Sequence, residues 1–203
     1  MVLCLSDVMS FSHIFSDFLY EKTLNFDNNN LLNYLQTVTE HSTGRKVSNY
    51  GGYQSNDLEN NEYTYPLLEL ISSNIEEVQN NIGLKKSRLK LHNFWCNINH
   101  EKDFNVAHTH PQSILSGVFY LKTPDNCGNL ILKNRNADLI KCYFDYWHLK
   151  EQTDYAMNEF NSQVWRVVPK ENNLIMFPSW VEHYVEPNQS TEPRISIAFN
   201  YGY

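Results

Sequence analysis

From Arg88 onward the apolar residues recur at every second position, and that period fixes the fold class. Successive side chains of a strand point to opposite faces, whereas a helix repeats every three to four residues. Arg88–Asn97 alternates Leu89, Leu91 and Trp95 against polar neighbours. Ser116–Leu121, Asn129–Leu132, Gln163–Val168, Asn172–Phe177, His183–Glu186 and Arg194–Asn200 read as further short strands. Turn residues separate most of them: Pro124-Asp125-Asn126, Pro169, Pro187-Asn188 and Pro193. Short strands at this spacing predict an antiparallel sandwich or barrel-like jelly roll.

The first part of the chain reads differently. Asn30–Glu40 places Leu31, Leu35 and Val38 on one helical face, and Tyr65–Asn81 repeats the pattern through Leu67, Leu68, Ile71, Ile75 and Val78. Gly83 is a suitable stop for the second helix. Asn49–Ser55 is a glycine-marked loop. The expectation is a mainly β protein with N-terminal helices: one domain over 1–203, with 1–87 as helical and loop support and 88–203 as the jelly-roll core. Asn134–Asn161 is a long Tyr- and Trp-containing insertion between two strands. Tyr143, Tyr146, Trp147 and Tyr155 would shape an entrance if it forms a lid; a packing extension is the other reading.

Charge and cysteines narrow the function class. With 16 Lys+Arg against 23 Asp+Glu, the net charge of −7 disfavours phosphate-neutralising contact with nucleic acid. Cys4, Cys96, Cys127 and Cys142 form no C-x-x-C pair, so thiol-only zinc and redox motifs fall away. No run approaches the ~20 apolar residues that span a bilayer, and MVLCLSDVMSFSHIF is too polar after Leu5 for a signal-peptide core. The expected location is cytoplasmic, with no membrane partner.

The chemistry concentrates in three histidines. In His108-Thr109-His110 an extended backbone turns both imidazoles to one side, which supplies half of a transition-metal site. A surface pair beside Pro111 would have the same sequence. His183, opening the late strand H-Y-V-E-P, can complete a three-point site, because a jelly roll gathers distant strands at one open end. Arg194 and Ser196 share one face of the last strand, with Ile195, Ile197 and Phe199 on the other. An inward guanidinium needs an anion and suits a carboxylate held by two hydrogen bonds; a salt bridge to one of the acids is the alternative. Tyr120 could present its hydroxyl to the same anion or serve as a core aromatic.

In this order, HTHPQSILSGVFYL, GNLIL, NNLIMFPSWVEHYVEPN and EPRISIAFN resemble the Fe(II)- and 2-oxoglutarate-dependent oxygenases. The likeness is strongest to a group written H-x-H-P…SGVYYL and FPSW…H…PN…R-I-S, and GGYQS and NFWCN extend it upstream. The resemblance implies a double-stranded β-helix carrying Fe(II), 2-oxoglutarate and O2 at its open end, and a hydroxylase that couples decarboxylation of 2-oxoglutarate to oxidation of a small molecule or protein side chain. It also implies that His108 and His183 are the first and last metal ligands, and that Arg194 and Ser196 grip the far carboxylate of 2-oxoglutarate, with Tyr120 beside it. The wider superfamily carries Asp or Glu where this chain has His110. His110 would therefore be the second ligand, and it leaves no vacant position for a halogenase-like use. Asp103 and Glu182 are the carboxylates near enough in sequence to restore charge. A three-histidine, cupin-like metalloenzyme that ignores 2-oxoglutarate is the alternative on the metal reading, and a non-catalytic jelly-roll interaction module the alternative without it.

Overall fold

The computed structural model describes residues 16–84, 89–146, 158 and 161–203. Eleven strands are found among them, in two antiparallel sheets. They are β1 (Tyr20–Thr23), β2 (Asn49–Tyr50), β3 (Tyr53–Gln54), β4 (Lys90–Asn99), β5 (Phe104–His108), β6 (Leu115–Lys122), β7 (Leu130–Lys133), β8 (Val164–Val167), β9 (Asn173–Pro178), β10 (His183–Val185) and β11 (Arg194–Gly202). The larger sheet runs β1-β9-β6-β11-β4-β3 and the smaller β2-β5-β10-β7-β8. The expected jelly roll is present, and its strands interleave the two sheets as that fold requires.

Helices α1 (Asn29–His41) and α2 (Tyr65–Asn81) are those that the periodicity predicts. In α2, Pro66 occupies the first turn, where a missing N–H costs nothing. Gly83, at φ +82°, ends the helix by letting Leu84 N–H reach back 2.8 Å to Gln79 O. Leu31, Leu35, Leu67, Ile71, Ile75 and Val78 then pack against Phe94, Phe119, Met176, Ile197 and Phe199 of the larger sheet. Each fully buried aliphatic contributes roughly 1.5–3 kcal/mol relative to exposure, so this layer stiffens one wall of the sandwich. A second, smaller cluster, with Tyr120, Leu130, Leu132, Ile175 and Phe177, fills the space beside the functional pocket.

The N-terminal part supplies more than helices and loops. β1 pairs with β9, β2 with β5 and β3 with β4, so residues before 88 edge both sheets. Gly51 and Gly52, at φ +67° and +58°, carry the chain from the smaller sheet to the larger between β2 and β3. Helix α3 (Ala137–Tyr146) opens the long insertion. The side chains of Tyr143 and Tyr146, together with Trp147 and Tyr155, lie outside the described residues, and so does the lid reading that rests on them.

Gly117 is a position where the larger sheet has no room for a side chain. A Cβ there would lie 2.3 Å from Phe199 Cζ and 2.7 Å from the Ile175 carbonyl oxygen. Gly117→Ala is therefore expected to destabilise the protein by about 1–3 kcal/mol, the usual penalty for overpacking. Urea unfolding checks this as a lower midpoint at unchanged slope.

Candidate metal centre

Direct cross-strand neighbours point to the same face, and the registers place the site between the sheets. His183 of β10 stands opposite His108 of β5 on the smaller sheet. On the larger sheet Ser196 of β11 stands opposite Tyr120 of β6 and Asn97 of β4, and Arg194 lies two residues along β11. All six residues, with His110 and Trp95, line one pocket.

His110 reaches the pocket by a different route from the one its spacing predicts. β5 ends at His108, so the two histidines do not share a strand. Pro111 has no N–H to continue pairing, Gln112 turns at φ +70°, and the His110 amide bonds Ser179 O at 3.0 Å instead. The imidazoles converge all the same. Ring centroids lie 4.9 Å apart for His108 and His110, 4.3 Å for His108 and His183, and 5.0 Å for His110 and His183. One nitrogen from each falls within 4.8 Å of the others, a spacing that a single ion can span. Among the described residues no carboxylate joins this group. Glu182 pairs with Lys133 at 2.8 Å, and Asp103 accepts the His100 amide at 2.7 Å and packs against Gly51.

Hydrogen bonding fixes two of the tautomers. His108 Nδ1 lies 2.7 Å from Val106 O, and His183 Nδ1 lies 2.9 Å from Val181 O. A carbonyl only accepts, so both Nδ1 atoms carry the proton and both Nε2 lone pairs are free. Burial keeps the rings neutral. It pulls His183 down to about 3 and His110 down to about 4, each helped by the neighbouring imidazoles, and it lowers His108 as well. Neutral, tautomerically fixed imidazoles are what a metal ion binds, so the donor set fits Fe(II).

The pH dependence follows in sign. The unfolded chain protonates these rings near the ordinary 6.5, whereas in the folded metal-free chain His110 resists until about 4 and His183 until about 3, and His108 is lowered as well. Below 6.5 the unfolded state therefore binds more protons, and folding stability falls as pH falls. The metal-free protein should show a melting midpoint that is level above pH 6.5 and drops steadily towards pH 4.

The opposite wall carries a buried cation. Arg194 is 2% exposed and has no carboxylate partner among the described residues. Its NH1 donates to Cys127 O at 2.9 Å and Gly128 O at 3.2 Å, and its NH2 to Asn99 Oδ1 at 2.9 Å. These neutral oxygens orient the guanidinium without neutralising it, and burial depresses its basicity. Burial likewise pushes the Tyr120 phenol up, while Arg194 pulls it back. Asn97 Oδ1, in the same wall, is buried with no hydrogen-bond partner. A buried cation with no charged partner among the described residues calls for an anion beside it, and the open Asn97 oxygen calls for a donor. Sequence reasoning missed Asn97 and Asn99; their i, i+2 spacing along a strand was the available signal.

The family model described as "Putative 2OG-Fe(II) oxygenase" matches residues 93–200, just over half of the 203. The chain belongs to the 2OG-Fe(II) oxygenase family. It is an enzyme of the Fe(II)/2-oxoglutarate-dependent dioxygenase class, with Fe(II) as its cofactor and 2-oxoglutarate and O2 as cosubstrates. No curated protein matches the oxygenase sequence.

Solved structures share the fold at low identity. A prolyl hydroxylase from Trichoplax adhaerens, in complex with a hypoxia inducible factor oxygen degradation domain peptide fragment, superposes with a TM-score of 0.61 at 13% identity, covering 92% of this chain and 83% of that one. The viral collagen prolyl hydroxylase of Paramecium Bursaria Chlorella virus-1, in its 2OG complex, gives 0.58 at 10%, covering 91% and 96%. HygX from Streptomyces hygroscopicus, with nickel and 2-oxoglutarate bound, gives 0.59 at 9%, covering 91% and 82%. Among the oxygenase's described residues no helix is long and apolar enough to cross a membrane. Cys96 and Cys127 are buried and Cys142 exposed, all three as free thiols.

Proposed function

We propose that His108, His110 and His183 hold Fe(II), that Arg194, Ser196 and Tyr120 bind the far carboxylate of 2-oxoglutarate, and that the enzyme hydroxylates an apolar C–H group of a peptide or small molecule. The observation carrying this reading is the pairing of walls: three neutral imidazoles face a buried guanidinium that no carboxylate among the described residues neutralises. Bound Fe(II) supplies oxygen activation coupled to decarboxylation of 2-oxoglutarate, so that substrate C–H, O2 and 2-oxoglutarate become substrate C–OH, succinate and CO2.

The residues do the positioning. Val106 O and Val181 O aim two imidazoles, and Cys127 O, Gly128 O and Asn99 Oδ1 aim the guanidinium. Ser196 and Tyr120, side by side across two strands, offer hydroxyl protons to the same carboxylate. With no carboxylate in the cluster, the dianionic cosubstrate supplies the negative charge that an Asp or Glu ligand would otherwise bring. A three-histidine enzyme that ignores 2-oxoglutarate would leave Arg194 buried to no purpose.

Trp165 marks the substrate side. It stands opposite Leu132 on β8, and Leu132 stands opposite His183, so the three share the inner face of the smaller sheet. Two strand spacings put its Cα roughly 10 Å from that of His183. At 44% exposure its ring offers an apolar platform on the same face as the metal cluster. Trp165→Ala should raise the substrate KM about tenfold, as loss of an aromatic anchor does, and leave 2-oxoglutarate affinity unchanged.

Succinate release by the Fe(II)-loaded enzyme tests the function against two panels, proline-containing peptides and small cyclic or apolar metabolites. The expected result is succinate formed one-to-one with a product heavier by one oxygen atom. A protein that takes up Fe(II) and forms no succinate with or without substrate would overturn the reading.

A further inference from the structure

His108 and His183 each rest Nδ1 on a main-chain carbonyl two residues back, but His110 has no such carbonyl. Its Nδ1 faces a side-chain amide instead, with Asn200 Nδ2 at 3.4 Å. The orientation of that amide has a chemical consequence. With the NH2 group toward the ring, Nδ1 must accept, the proton moves to Nε2, and the lone pair that a metal needs is lost. With the amide turned half a revolution, Oδ1 accepts a proton from Nδ1 and Nε2 is free. Carbonyl and amino groups of an amide have nearly the same shape, so the hydrogen-bond partners decide between them.

The partners behind Asn200 accept either orientation. The other amide atom lies 2.7 Å from Ser116 Oγ, which lies 2.7 Å from Ser179 Oγ. A hydroxyl donates or accepts, so the polarity of this chain can reverse without moving a heavy atom. Asn200 is 4% exposed, Ser116 1% and Ser179 0%. The choice is therefore left to His110. Ser179 also takes the His110 amide on its main-chain oxygen at 3.0 Å, so one residue steadies both the backbone and, through the chain, the ring.

We propose that Asn200, held by Ser116 and Ser179, is a positioning residue for the metal centre: its side-chain oxygen accepts the Nδ1 proton of His110 and keeps Nε2 of that ring free for the ion. This rests on the reading of His110 as a ligand. It also accounts for a feature of the departure from the usual Asp or Glu, because a carboxylate ligand has no tautomer to control and needs no such partner.

The test uses the full chain, with Zn(II) as a diamagnetic probe, and four variants: Asn200→Leu, Asn200→Asp, His110→Ala, and Asn200→Leu combined with His110→Ala. Chelator competition gives the Zn(II) affinity, and side-chain 15N shifts of the metal-free protein give the His110 tautomer. Asn200→Leu should weaken Zn(II) binding about 10–100-fold, the usual effect of removing a ligand's hydrogen-bond partner, and move the His110 proton toward Nε2. Asn200→Asp keeps an acceptor and should bind at least as tightly as the parent. In the His110→Ala background the leucine should have no further effect. Unchanged binding in Asn200→Leu, equal losses in the Leu and Asp variants, or the same loss without His110 would each overturn the proposal. His110→Ala separates the two levels: if it binds Zn(II) like the parent, the ligand reading itself fails, and if it alone loses binding, only the role of Asn200 fails.

Discussion

His183→Ala is expected to abolish saturable divalent-metal binding while leaving the fold intact. His183 sits where β10 meets β5 and β7, 5% exposed, with Phe177 edge-on at 4.7 Å between ring centroids and its own Nδ1 committed to Val181 O. Its ring nitrogen is thus fixed in place before any metal arrives, which removes the ordering cost that a mobile ligand would add. Alanine leaves two imidazoles, one from the end of a strand and one from a loop, and a cavity against Phe177. The sheet pairing is main-chain and survives. Heating scans make the prediction measurable, because an ion bound only by the native state stabilises it by about 2.7 kcal/mol at a hundredfold excess over Kd. The parent should gain that stabilisation from Mn(II), and His183→Ala should gain none at the same concentration. A variant that melts at the parent's metal-free midpoint and still shifts with Mn(II) would show that the cluster is not the metal site.

Arg194→Met is expected to separate binding from stability. The guanidinium is fully desolvated, and methionine fills much of its volume without charge. Three acceptors, Cys127 O, Gly128 O and Asn99 Oδ1, lose their donor, at about 1 kcal/mol or more each. Against this, a buried uncompensated charge is removed, a relief of several kcal/mol. The two effects nearly cancel, so the metal-free melting midpoint should move little. The cosubstrate has no such compensation. Taking away one partner of a buried charge pair costs about 3–5 kcal/mol, a loss of roughly 100- to 4,000-fold in 2-oxoglutarate affinity. A residue kept at no benefit to stability, whose loss abolishes binding, is there for function.

The four central strands of the larger sheet and the two N-terminal helices were legible from apolar periodicity, while His108 with His110 and Arg194 with Ser196 drew notice as i, i+2 polar pairs. β11 shows why: Ile197 and Phe199 belong to the main core while Arg194 and Ser196 face the pocket, so both faces leave a mark. β5 was invisible for the converse reason. Its inward residues, Asn105 and His108, are polar and are brought to one side by a register irregularity, while Val106 is exposed, because this part of the sandwich interior is a polar site. A hydropathy pattern reads such a strand inside out. β1, β2 and β3 are two to four residues long and take their structure from their partners rather than from their own sequence. His110 converges on the cluster although its backbone has left the strand, since Ser179 and not sheet pairing holds it. The chain from Ser179 through Ser116 to Asn200 joins residues far apart in sequence, and only the fold brings them into contact.

The proposed function requires one arrangement, a metal held by histidines on one side of the pocket and a dicarboxylate spanning from it to Arg194 on the other. Anaerobic calorimetric titration of 2-oxoglutarate into the Mn(II)-loaded protein, the metal-free protein and Mn(II)-loaded Arg194→Met tests it directly. The predicted result is saturable one-to-one binding in the first, and sharply weaker binding in the other two. Binding that is equal in all three, or absent from the Mn(II)-loaded parent, would contradict it.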